Sequence, residues 1–124
     1  MRKMRAALIV LCTCWMGLSV AEASLSVTIT SPTNGSYISK PGNSKISVRG
    51  KYTCDSNGYY LILYDNDVQV ASESAPKGTN QDYNLVESTS SMNLGDHVFR
   101  VKLWKRDCPT VSSGDRTVHL YQMT

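Results

Sequence analysis

Between Leu94 and Cys108 the chain reads Leu-Gly-Asp-His-Val-Phe-Arg-Val-Lys-Leu-Trp-Lys-Arg-Asp-Cys. Phe99, Val101 and Leu103 alternate with Arg100, Lys102 and Trp104. A period of two sends the first set to one face of a strand and the second set to the other. The first face is apolar enough to join a core; the second is basic and carries one large aromatic side chain. The same alternation recurs along the chain. Residues 25–30 alternate apolar with hydroxyl-bearing side chains. In residues 45–54, Ile46, Val48, Tyr52 and Cys54 share one parity, and Gly50 sits on it too, where a neighbouring backbone or side chain can approach closely. Residues 59–64 are an unbroken apolar and aromatic run, too short for a helix and suited to a central strand covered on both faces. Asp65-Asn66-Asp67 predicts a tight hairpin turn, because Asn and Asp tolerate positive φ, with residues 68–72 returning. Residues 82–88 place Tyr83, Leu85 and Glu87 on one parity, residues 88–91 suit strand or loop, and residues 116–121 oppose Thr117 and His119 to Val118 and Leu120. Turn signals recur roughly every 8 to 12 residues and no helical period persists, so the pattern predicts an all-β sandwich of about seven antiparallel strands.

Composition changes this picture at the N-terminus. Arg2, Lys3 and Arg5 precede an uncharged, mostly apolar run from Ala6 to Leu18, and Ala21-Glu22-Ala23 supplies small residues at the positions a signal peptidase reads. The run is shorter than the roughly 20 residues that span a bilayer. Residues 1–23 are therefore expected to be a cleaved secretory leader and residues 24–124 a single domain, secreted or periplasmic, with no membrane span after cleavage. Three of the 13 basic and one of the 10 acidic residues leave with the leader, so ten face nine and the net charge falls from +3 to +1. A nucleic-acid partner then loses its electrostatic basis. Of the four cysteines, Cys54 and Cys108 remain. In an oxidising compartment they allow one intramolecular disulfide, whose closed loop would contribute roughly 4 kcal/mol by chain entropy. Two free thiols or an intermolecular bridge are the alternatives.

Several stretches resemble bacterial Ig-like or fibronectin type III-like modules. Val27-Thr-Ile-Thr-Ser-Pro-Thr-Asn-Gly35 is similar to their first strand and turn, Leu63-Tyr-Asp-Asn-Asp-Val-Gln-Val70 to their central hairpin, and Leu94-Gly-Asp-His-Val-Phe-Arg-Val101 to the approach to strand F. The resemblance implies a sandwich that serves as a spacer, an adhesin part or an accessory unit of a secreted enzyme. The chain departs from antibody-type domains, which carry a Trp on strand C against a mid-strand disulfide. Here the corresponding strand holds Tyr59, Tyr60 and Tyr64, Cys108 falls at or past the end of its strand, and Arg106 stands where a tyrosine would precede the second cysteine.

Enzyme signatures are missing. His97 and His119 lie on separate predicted strands with no nucleophile elbow; a corner hydrogen bond accounts for the first and a surface strand position for the second. No His or Cys spacing suits zinc. Asp65-Asn66-Asp67 lacks the Gly and Glu of a calcium loop, and no phosphate loop is present, so neither metal nor cofactor is expected. Asn34-Gly35-Ser36 fits a glycosylation sequon but equally an Asn-Gly turn. The aromatic inventory is the better lead. With Phe99 inward, Trp104 points outward amid Arg100, Lys102 and Arg106, which suits a sugar ring, a peptide or a partner domain; the stems of Lys102 and Arg106 could instead cover the indole. One parity of residues 59–64 must also face away from the main core and needs a cover or a partner. The chain thus reads as a small exported, non-catalytic Ig-like module that binds or supports an extracytoplasmic protein, surface polymer or glycan. A structural subunit self-associating through strand edges is the alternative, and a secreted hydrolase a remote one.

Overall fold

The computed structural model describes residues 25–40 and 42–122. The leader expected at residues 1–23 lies outside the described residues. The period-two segments become strands: β1 Ser26–Ser31, β2 Ser36–Lys40, β3 Lys45–Cys54, β4 Tyr59–Asp65, β5 Val68–Ala75, β6 Gly78–Ser88, β7 Gly95–Trp104, β8 Val111–Ser112 and β9 Arg116–Gln122. A 3₁₀ turn, Thr89–Ser91, follows β6.

The strands form two sheets. One holds β1-β3-β6; the other runs β2-β9-β7-β4-β5, with β8 hydrogen-bonded to β7. Inward side chains of both sheets make one core. Val27, Ile29, Ile46, Val48, Tyr52, Tyr83 and Leu85 come from the smaller sheet, and Tyr59, Leu61, Leu63, Phe99, Val101, Leu103, Val118 and Leu120 from the larger. Phe99, Val101 and Leu103 are fully buried, as the alternation in β7 requires. The two inward tyrosines of the smaller sheet keep their hydroxyls satisfied: Tyr52 Oη donates to Pro76 O at 2.8 Å and Tyr83 Oη to Thr28 O at 2.7 Å. An aromatic body with a satisfied polar tip can therefore take the place of an apolar residue there.

Nine strands stand among the described residues, two more than expected. Both extra strands lie outside the period-two segments of the sequence. β2 exists because it pairs in parallel with β9, Tyr37 opposite His119 and Ile38 opposite Leu120, a partnership about 80 residues away in sequence that no local pattern announces. It is also the exception to an otherwise antiparallel order. β8 is only two residues long and is recruited by β7, where Ser113 serves as a second strand partner: its N–H donates to Val101 O and its hydroxyl accepts from Val101 N. The hairpin turn behaves as expected, with Asn66 and Asp67 at φ 52° and 69°.

The disulfide expectation is corrected. Cys54 is an unbridged, buried thiol, not joined to Cys108, and no disulfide links two described residues. The last turn of β3 points the Cys54 sulfur toward the β5–β6 corner, where Ser56 O, Ala75 O and Pro76 O lie at 3.5, 3.6 and 3.5 Å. Cys108 instead follows β7 in a turn closed by its own N–H on Lys105 O. Burial pushes the Cys54 thiol above its ordinary pKa, the behaviour of a packed rather than a reactive cysteine.

Gly50 is where the sheets are closest to failing. It pairs with Ile29 on β1 and Tyr83 on β6. A Cβ added there would stand 1.8 Å from Thr28 O and 2.6 Å from Tyr83 Oη. Tyr83 could swing, but the β1 backbone could not without losing its pairing. Gly50→Ala is therefore expected to cost about 3 kcal/mol or more, the upper end of overpacking penalties. Chemical denaturation of the purified domain checks this, and a midpoint within experimental error of the parent would contradict the close packing.

Candidate functional site

β7 sets the geometry of the outer face of the larger sheet. With Phe99, Val101 and Leu103 inward, its outward positions are Asp96, Val98, Arg100, Lys102 and Trp104. β4 adds Tyr60, Ile62 and Tyr64, opposite Trp104, Lys102 and Arg100 respectively. The Trp104 indole is 41 % exposed, so the basic stems beside it do not cover it. It stands instead beside Tyr60, itself exposed, with ring centroids 6.3 Å apart and a tilt of 37°.

The four residues singled out from the sequence do not make one basic patch. Arg100 is spent within the chain: Nε donates to Asp115 Oδ1 at 2.8 Å, Nη2 to Asp115 Oδ2 at 3.2 Å and Nη1 to Asp67 Oδ1 at 3.3 Å. The hydrogen bond and charge of Arg100 hold the Asp115 carboxyl below its usual pKa. Lys102 lays Nζ over the Tyr64 ring, 4.8 Å from its centroid. Arg106 lies past the strand end, highly exposed, with Nε 4.0 Å from its neighbour Asp107. Arg100 is thus neutralised locally, and the Tyr60–Trp104 pair remains on offer beside Lys102.

A second aromatic group on this face has no local signal in the sequence, because the parallel β2–β9 pairing creates it. Tyr37 of β2, 73 % exposed, lies over His119 of β9 with centroids 4.7 Å apart. Tyr121 meets Tyr37 edge-on at 6.5 Å. His119 Nδ1 is 2.5 Å from Asp96 Oδ1, which fixes the imidazole against β7.

Beneath the face, three ionisable groups are buried together. Asp65 ends β4, His97 lies on β7 and Glu87 reaches across from β6; all three are under 9 % exposed. His97 Nδ1 is 2.7 and 2.8 Å from the two Asp65 oxygens, and Nε2 is 2.6 Å from Asn93 O. Both ring nitrogens thus face only acceptors, so both must carry a proton for both bonds to form. Burial pulls the ring down, yet the Asn93 carbonyl and Asp65 together hold it above its ordinary pKa. Glu87 has an Oε1 with no hydrogen-bond partner among the described residues. Burial, then the hydrogen bond and charge of Asp65, push it up to about 8. A neutral Glu87, an Asp65 carboxylate and a His97 imidazolium therefore tie the two sheets together. His97 makes the corner bonds expected of it, but as a charged residue in the interior. The Asp65-Asn66-Asp67 carboxylates diverge: Asp65 turns inward to His97 and Asp67 outward to Arg100. The parity shared by Tyr83, Leu85 and Glu87 was the visible signal for the third member. No group of three or more His, Cys, Asp or Glu among the described residues is arranged to hold a metal ion, and no helix among them is long and apolar enough to cross a membrane.

No family model matches the sequence, and no curated protein matches it. Solved structures do. The fibronectin(III)-like modules of Clostridium thermocellum CbhA superpose with a TM-score of 0.60 over 78 % of this chain and 96 % of theirs, at 16 % identity. The protein has a fibronectin type III-like fold. The endo-beta-1,4-mannanase from Thermotoga petrophila also matches, with a TM-score of 0.57 at 16 % identity over 81 % of this chain, which spans only 20 % of that enzyme. At such identities the likeness establishes the sandwich and nothing about ligands. In this fibronectin-like sandwich the buried aromatic side chains among the described residues are Tyr52, Tyr59, Tyr83 and Phe99.

The buried cluster makes stability depend on pH. An unfolded chain releases the Glu87 proton near the model-compound value of 4.5, whereas the folded domain keeps it up to about 8. The folded state then binds the extra proton between those values, so stability falls as pH rises across the window. His97 acts in the same sense, because its raised pKa adds stability that is lost as pH climbs through the folded value. Discounted for residual screening, the expected loss between about pH 5 and about pH 9 is on the order of 2 kcal/mol. Thermal melts across that range should show the decline, and Glu87→Gln should flatten it. Parallel profiles for the two proteins would dismiss Glu87 as the source.

Proposed function

We propose that this protein is an exported, non-catalytic module that presents the outer face of its larger sheet to an extracytoplasmic partner. One observation carries the reading. Tyr60 and Trp104 stand exposed side by side on adjacent strands whose backbones are fully paired. Rings held on such a rigid support contribute contact area at little entropic cost. Neither histidine is hydrogen-bonded to a hydroxyl or thiol: His97 is saturated by Asp65 and Asn93, and His119 holds Asp96 through Nδ1 with its ring against Tyr37. That argues for binding rather than hydrolysis. The likeness to modules of CbhA, and to one-fifth of a mannanase chain, supports a part that works beside other units.

A second reading has its own observation. β5 is an edge strand of eight residues whose only charge is Glu73. Edges are usually guarded by more charge, a proline or a bulge that turns the edge away. The irregularity between Leu63 and Tyr64 lies near the turn and leaves most of this edge unguarded. A structural subunit pairing through β5 would self-associate, and size-exclusion chromatography over a concentration series distinguishes it from a monomeric module.

Because Trp104 contributes little to the core, Trp104→Ala is expected to leave the melting temperature within about 2 °C of the parent. The same substitution should abolish retention on immobilised extracytoplasmic polymers or proteins that hold the parent. A variant that fails to fold would make Trp104 a core residue. Unchanged retention would move the binding face elsewhere.

A further inference from the structure

We propose that the outer face of the larger sheet is a two-station platform for an uncharged, linear polysaccharide laid along β7. This rests on the module reading above and names the ligand class for its face. The first station is Tyr60 with Trp104; the second is Tyr37, His119 and Tyr121. Asp96, which anchors His119, and Trp104 share one parity on β7 and are eight residues apart. At about 3.3 Å per residue the stations stand roughly 26 Å from each other on one side of the sheet. A pyranose chain is flat enough to lie across such a surface and long enough to reach both stations.

The chemistry of the face selects against other occupants. Its strongly exposed apolar side chains are all Tyr or Trp, namely Tyr37, Tyr60, Trp104 and Tyr121. Of the exposed aliphatic residues, Val68 starts β5, Val86 is on the smaller sheet, and Leu94 immediately precedes the Gly95–Leu120 pair near the second station. Rings with polar edges suit the C–H face of a sugar together with its hydroxyls, whereas a lipid surface would call for aliphatic area as well. Arg100 is paired with Asp115 and Asp67, Lys102 rests on the Tyr64 ring and Asp96 holds His119, so two cations stand among three carboxylates and the face has no positive surplus for an anionic chain. An uncharged ligand is the electrostatic complement of that arrangement. The ion-paired strip also lies between the stations. A protein partner covering both would have to bury it, against the depletion of charge in interface cores. A sugar chain bridging the stations leaves those pairs in water.

Two weak stations on one ligand act through effective concentration, so chain length is the decisive variable. Isothermal titration should use β-1,4-linked gluco- and manno-oligosaccharides of increasing length, their soluble parent polymers, and polygalacturonate as an anionic control. Affinity is expected to rise about a hundredfold once the ligand is long enough to reach both stations. Tyr37→Ala and Tyr121→Ala, at exposed positions, should return long ligands to the affinity of short ones, and Trp104→Ala should do the same. Equal affinity for short and long ligands, or full affinity in the Tyr37 and Tyr121 variants, would overturn the two-station platform. Binding confined to the anionic polymer and weakened by salt would overturn the ligand class. If no uncharged polymer binds while a protein partner is retained in a Trp104-dependent way, the polysaccharide proposal fails and the module reading stands. If Trp104→Ala changes no binding of any kind, both fail.

Discussion

The pleat of β7 ties the inside of this protein to its outside. Side chains alternate without exception along that strand, so burying Phe99, Val101 and Leu103 obliges Arg100, Lys102 and Trp104 to face out. A slip of one residue would exchange the two sets and expose the core. Every other strand of the larger sheet inherits its register from this one, through β4 on one edge and through β9 and β8 on the other. The outer face is therefore as well defined as the core beneath it. Its aromatic rings are held by the same hydrogen-bonded ladders that hold Leu61 and Val118.

The buried Asp65–His97–Glu87 group shows how a small sandwich can tolerate charge in its interior. Each ionised member has a partner: His97 spends both nitrogens, and Asp65 is bound through both oxygens. Glu87 resolves its own burial by keeping its proton. Such a group is poor evidence for extra stability, since desolvation offsets most of the attraction. Its value is positional. It fixes the end of β4 and the loop before β7 with respect to β6, at the end of the face where His119 meets Asp96.

How much of this was legible depended on the range of each interaction in sequence. Strand positions, the inward set of β7, the Asn66–Asp67 turn and the tight fit at Gly50 all follow from period and residue type within a few neighbours. β2 and the Tyr37–His119–Tyr121 group did not show, because their cause is a parallel pairing of the first strands with the last. The Cys54–Cys108 bridge was a counting inference, drawn from two cysteines in an exported chain; direction decided otherwise, since β3 delivers Cys54 to the carbonyls of the β5–β6 corner. The basic stripe was visible, but the neutralisation of Arg100 by Asp67 and Asp115 depends on two loops arriving beside it. The signature of the buried cluster was present as Glu87 on the parity of Tyr83 and Leu85, a carboxyl in an inward row.

The parallel pairing of β2 with β9 also bears on what a pull along the chain would meet. β1 begins opposite Thr53, at the end of the sandwich where β3 finishes, whereas β9 runs out past Gly95 at the other end. Tension applied to the two ends of the described chain would draw β2 and β9 in opposite directions along their shared axis. The hydrogen bonds between them, from Ser36–Val118 to Lys40–Gln122, would then be loaded together in shear instead of peeling apart one at a time. A module strung between other domains would transmit force through that seam, the same pairing that brings Tyr37 to His119 and Tyr121.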